Sequence, residues 1–171
     1  MALTKSPLRR AASIGIVGFA LATITGCGPQ STGNPAVADI AGYKAYAAGN
    51  LSEAVSDYTA ALSADPKNTG AYLNLGIFAQ LQNRNADADS AYRNALIIDP
   101  NNQPALYNLA NLVGPTNPWE AIDLYSHLLG LAPNNATAHN NLGAVLKSVG
   151  QNQEGDAELA AAQALNAAGQ R

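Results

Sequence analysis

Cysteine is almost missing from this chain, which has one in 171 residues, Cys27. No intrachain disulfide can form, so the fold must be held by its core alone. Charged residues are scarce at 12%, and acids outnumber bases by 12 to 9, which argues against a nucleic-acid partner. There is no Gly-rich phosphate loop. The two histidines, His127 and His139, fall on different expected helices with no second thiol in the chain, and no spacing around them suggests a metal site, so no metal, cofactor or catalytic residue is expected. The acids cluster instead as Asp87 with Asp89, and Glu154 with Asp156 and Glu158, at expected helix starts where they complement the dipole.

The main apolar run, Ala11 to Ile24, falls short of the roughly 18 residues that cross a bilayer. It follows Lys5, Arg9 and Arg10 and ends at "TGC", the layout of a cleaved secretory signal peptide over residues 1–26. The tetrad "ITGC", Ile24 to Cys27, resembles the lipobox of bacterial lipoproteins. That resemblance implies that Cys27 becomes the lipidated first residue, bearing diacylglycerol and often a third, palmitate-type chain. Several chains anchor stably where one is marginal. By the same resemblance, Gly28 in place of Asp slightly favours an outer membrane where the host has two. Loss of three basic residues and no acid leaves six bases against twelve acids, a formal charge of −6. Residues 27–35 then read as lipidated cysteine and flexible tether.

The remainder repeats itself. Ala54, Ala88 and Ala121 recur, as do Tyr58, Tyr92 and Tyr125, and Pro66, Pro100 and Pro133, each stepping by 34 and then 33. Gly42, Gly76, Ala110 and Gly143 carry the pattern into a fourth unit. The residue missing from unit three is placed at "GPTNP", 114–118. A unit with "NLG" early, Ala four before Tyr, and "DPKN" or "DPNN" at its end resembles the tetratricopeptide repeat. The resemblance covers residues 36–168, with units near 35–68, 69–102, 103–135 and 136–168. It implies an all-α, right-handed α-solenoid of about four helix pairs, three clear and the fourth partial. Unit four departs from the pattern at Gly155 and Leu159.

Apolar periodicity predicts helices near 36–48, 51–64, 69–82, 85–98, 103–113, 118–131, 136–149 and 152–168. On the first helix of unit two the stripe centres between Tyr72, Leu75 and Ala79. Asn74 then lies roughly 150° away, so Asn74, Asn108 and Asn141 are expected in a row along the concave groove where solenoids bind partners. Each amide offers two donors and an acceptor, enough to clasp one peptide group. The same amide is frequent at this position across such repeats, so the row also reads as a mark of the family alone.

Leu73, Ile77, Tyr107, Asn111 and Asn140 are the neighbouring groove candidates, beside Tyr43, Tyr46, Gln80 and Leu81. Among them, Lys147 is the one cation near the Asn row, which argues against a clamp for an acidic peptide terminus. Leu73, Ile77 and Tyr107 suit an apolar anchor, or else pack on neighbouring units. The expected function is a non-enzymatic, lipid-anchored, extracytoplasmic module of the cell envelope that binds a protein or peptide as scaffold, adaptor or assembly factor. An assembly chaperone resembling pilotin lipoproteins of pilus or secretin systems, or an accessory regulator of a cell-wall enzyme, is the alternative. Partner identity and oligomeric state are not legible in these residues.

Overall fold

The structure, a computed structural model, describes residues 35–169. The proposed signal peptide, Cys27 and the tether up to residue 34 lie outside the described residues. Eight helices follow one another: α1 (Pro35–Ala47), α2 (Leu51–Ala64), α3 (Thr69–Leu81), α4 (Asn85–Ile98), α5 (Gln103–Val113), α6 (Pro118–Leu131), α7 (Ala136–Ser148) and α8 (Asn152–Ala168). They match the expected spans to within one residue at each end. No described helix is long and apolar enough to cross a membrane.

Local chemistry explains the boundaries. Asn68, Asn102 and Asn135 each accept a hydrogen bond from the N–H three residues on, at Ala71, Ala105 and Ala138, and so cap α3, α5 and α7. Just upstream, the Asp65 and Asp99 carboxylates accept from the N–H groups of Lys67 and Asn101 and tighten the proline-containing turns. Asn117 caps α6 by accepting from Glu120 N–H, and Pro118 opens that helix. Asn50 sits at the expected cap of α2 but donates to the Glu53 carboxylate and accepts no backbone N–H.

The turns inside the units account for the missing residue. Chains that leave a first helix and enter the second pass through the left-handed region at Gly49 (φ 82°), Asn83 (φ 59°) and Gly150 (φ 86°). Unit three has no such residue. Its turn draws the N–H groups of both Thr116 and Asn117 onto the Val113 carbonyl, at 2.9 and 2.7 Å. α5 accordingly stops at 11 residues, where α1, α3 and α7 have 13.

Packing within a unit depends on one ring. Tyr58, Tyr92 and Tyr125 are all buried, at 2% exposure or less. A Cβ on Gly42 would stand 2.7 Å from the Tyr58 ring, and one on Gly76 would stand 2.4 Å from the Tyr92 ring. The glycine therefore lets the tyrosine lie flat between two close helices, with buried Ala54 or Ala88 beside it. Between units the core divides at α3. Ala71 and Phe78 join Ala45, Ala54, Tyr58 and Ala61 of unit one, while Ala79 joins the cluster that runs on to Leu146. A first helix thus has two buried faces. Tyr72 and Leu75, expected at the centre of a single stripe, are half-buried, and Ala71, Gly76, Phe78 and Ala79 are the buried positions.

Gly76→Ala should destabilise the protein by about 1–2 kcal/mol. Overpacking a core costs about 1–3 kcal/mol, and the better helix propensity of alanine offsets about 1 of it. In a Tyr92→Leu background the same change should become neutral or stabilising. Urea unfolding of the four proteins measures the coupling, and simple additivity would show that the ring does not set the helix spacing.

Candidate functional site

The first helices α1, α3, α5 and α7 carry the candidate groove, and the structure treats the three asparagines differently. Asn74 is half-buried, and its Nδ2 donates to the Gly70 carbonyl of its own helix at 2.9 Å. Asn108 is buried at 6% exposure, and its Nδ2 has no hydrogen-bond partner. Asn141 is half-buried, with Nδ2 3.0 Å from Asn111 Oδ1, 3.2 Å from Tyr107 Oη and 3.3 Å from Tyr125 Oη. The expected outward-pointing row is therefore corrected. Each Asn lies three residues after a fully buried alanine, Ala71, Ala105 or Ala138, and so borders the second buried face that a single helical stripe leaves out.

What the structure brings together is a cluster at the junction of units three and four. The Tyr125 hydroxyl donates to Asn111 Oδ1, which also lies in reach of Asn141 Nδ2. The Tyr107 ring meets Tyr125 edge-on at 6.2 Å and 72°. Tyr125 comes from α6 and was not among the expected groove residues, because its spacing marks it as core. The signal that finds it is its hydroxyl, since a buried tyrosine must place that group on a partner. Tyr92 shows the same pattern one unit earlier, where its hydroxyl donates to Gln80 Oε1 at 2.9 Å. Burial pushes both phenols up, Tyr125 to about 12, with a smaller lowering contribution from the Asn141 bond and a smaller raising one from Tyr107. Both therefore remain neutral hydroxyl donors near pH 7.

Leu73 and Ile77 are half-buried against the core, and Asn140 is exposed with Nδ2 3.5 Å from Asn141 Oδ1. At the other end of the array, Tyr43, Tyr46 and Leu81 are exposed, and Tyr46 stacks on Phe78 with ring centroids 4.9 Å apart. Lys147 does not serve the groove, because its Nζ donates to Asp156 of α8 at 2.7 Å. Asp156 and Glu158 likewise do more than complement a helix dipole, since Glu158 pairs with His139. His139 escaped the search at helical spacing because that carboxylate lies 19 residues on, across a turn. On the second-helix face, Arg93, Leu96, Ile97, Leu109 and Leu124 line a depression of about 300 Å³. Its one charge, Arg93, is already held by Asp89 and Glu120.

No known family description and no curated protein matches this sequence. Solved structures do. A crystal structure of MamA is 22% identical over 77% of this chain and 73% of that one, with a TM-score of 0.71. A MamA RS-1 double mutant is 16% identical over 81% and 78%, also with a TM-score of 0.71. PilF of Pseudomonas aeruginosa is 23% identical over 77% of this chain and 61% of that one, with a TM-score of 0.68. With eight helices and no strand among the described residues, the chain has the all-α fold of a tetratricopeptide-repeat solenoid.

The three asparagines should separate on mutation. Asn141→Ala should cost about 1–3 kcal/mol, because it strips a partly buried cluster of a partner. Asn74→Ala should fall within about 0.5 kcal/mol of wild type, since alanine is the better helix former. Asn108→Leu should be neutral or stabilising, because it removes a buried unpaired amide. Urea denaturation midpoints at constant m-value test the order, and equal losses at all three sites would contradict it.

Proposed function

We propose that this chain is a non-enzymatic protein-interaction module whose first-helix groove holds a protein or peptide segment at the junction of units three and four. The observation that carries the reading is the buried, unpartnered amide of Asn108. An unpaired buried polar group is costly, and a ligand that reaches it would offset that cost. It stands one residue from half-buried Tyr107, so a peptide group that reaches it has an amide and an aromatic wall within one turn of α5, while Asn111 is engaged by Tyr125 and Asn141. Half-buried Leu73 and Ile77 on α3 supply an apolar continuation, and exposed Tyr43 and Tyr46 supply an aromatic one. Asn74 is spent on its own helix and Asn141 on the cluster. The groove thus fixes one point of a ligand backbone instead of following a long one.

In this reading the chain is tethered to the cell envelope, outside the cytoplasm, by lipid on Cys27, and works as a scaffold, adaptor or assembly factor. The basic start, apolar run and "ITGC" tetrad support the anchor. The near absence of free charge along the groove supports a neutral recognition segment.

A photo-reactive phenylalanine at position 107 should crosslink a protein partner in intact cells, and the same group at position 97, on the second-helix face, should not. Asn108→Leu should weaken that capture about tenfold, the equivalent of about 1.4 kcal/mol, while exposed Asn94→Ala leaves it unchanged. Capture at position 97 alone, or undiminished capture by folded Asn108→Leu, would overturn the groove assignment. Separately, fatty-acid label should enter the wild-type protein and be lost in Cys27→Ser. Label retained by that variant would overturn the anchor.

A further inference from the structure

Unit four is fastened differently from the three units before it. The second helices of those units each bury a set of three: Ala54, Tyr58 and Ala61; Ala88, Tyr92 and Ala95; Ala121, Tyr125 and Leu128. α8 buries Gly155 and Ala162 alone, with half-buried Leu159 where the tyrosine would stand. Less apolar surface therefore holds it. The helices approach closely, since a Cβ on Gly143 would stand 2.8 Å from the Gly155 carbonyl, but two small residues bring little hydrophobic area.

What meets α8 instead is a histidine of α7. His139 Nδ1 lies 2.5 Å from Glu158 Oε2, and its Nε2 lies 2.9 Å from the Pro133 carbonyl. A carbonyl and a carboxylate both accept, so the two bonds form together when both ring nitrogens carry hydrogen, that is, in the imidazolium. The side chain of His139 is 15% exposed and that of Glu158 is 29% exposed, which limits solvent screening. The other pair across this interface, Lys147 with Asp156, is 42% and 66% exposed and contributes little.

The charges around the ring are few. α5 carries no Asp, Glu, Lys, Arg or His, and its Tyr107 and the Tyr125 of α6 are phenols that bring no charge at neutral pH. On α6, Glu120 is engaged by Arg93, Asp123 is exposed, and His127 is exposed and bonded to Asn101. On α8, Glu154 is exposed and Asp156 is paired with Lys147, so Glu158 is the charge that acts on His139.

We propose that His139 is a proton-operated clasp that fastens α8 to α7 and to the turn after α6, and that loss of its proton frees α8 to open. A neutral ring keeps one N–H and must give up either Glu158 or Pro133. The direction of titration agrees. Burial is the largest single influence and disfavours the charge, but the bonds to Glu158 and Pro133 and the charge of Glu158 outweigh it and hold His139 above the ordinary histidine value. A raised value places the full contribution of the clasp below the free-imidazole value of about 6.5, and the contribution is lost as pH rises through the raised one.

Hydrogen exchange of the full chain, normalised to intrinsic rates, reads the clasp directly. Protection of α8 should fall up to tenfold per pH unit between about 6.5 and the titration point of His139, while α4 protection stays level. In His139→Gln, α8 protection should be lower at pH 6 and level with pH. Nuclear magnetic resonance titration of His139 in the wild-type protein needs no variant and should give a value above that of free imidazole, which Glu158→Gln lowers. A His139 that titrates at or below the free value, or α8 protection with the same pH slope in wild type and His139→Gln, would overturn the proposal.

Discussion

The seating of a tyrosine ring on a glycine decides most of what this chain can do. Tyr58 on Gly42 and Tyr92 on Gly76 set how closely two helices approach, and no larger residue fits at either glycine without moving the ring. The ring also spans the unit from core to groove. Its buried edge completes the hydrophobic layer, and its hydroxyl emerges among the first-helix side chains, where it must find an acceptor. In unit two that acceptor is Gln80. The position 34 residues on is Gly114, at the shortened end of α5, and it has no side chain to offer. The Tyr125 hydroxyl turns instead to Asn111, one turn earlier, and Asn141 of the next unit closes on the same oxygen. A glycine where unit two has Gln80 thus goes with a cluster between units in place of a contact within one.

The helices were legible in the sequence because their ends are fixed by local chemistry. Asparagine caps, prolines in the connecting turns and left-handed turn residues act within three or four positions of themselves, so a linear reading finds them. The groove was less legible because side-chain direction there is set by neighbours. A helical stripe presumes one buried face, but in a stacked array each inner first helix is pressed from both sides. The clue was present in Ala71, Ala105 and Ala138, small residues that recur with the asparagines and mark the second face. What no spacing rule contained was the pairing of His139 with Glu158, since it depends on how α8 folds back on α7.

Of the three amides that look alike in sequence, one serves its own helix, one ties two units, and one is left without a partner. Position in the array, not residue type, decides which. Asn141 meets Asn111 of unit three, and Asn74 turns to the Gly70 carbonyl of its own helix. Asn108 sits between them, buried by its neighbours yet unmatched by any of them.

Proton sensitivity is confined to one end by the same architecture. The groove is lined by amides, aliphatic side chains and phenols, and burial holds the Tyr92 and Tyr125 hydroxyls well above the range in which they would ionise near neutral pH. Neither of those two phenols changes charge near pH 7. Unit four lacks the tyrosine wedge and holds its last helix by an imidazolium where its predecessors use a ring and apolar area. Through the proposed clasp a change of pH acts on the terminal helix and leaves the Tyr92 and Tyr125 hydroxyl bonds as they were, so the two ends of the array are separable by mutation as well as by position.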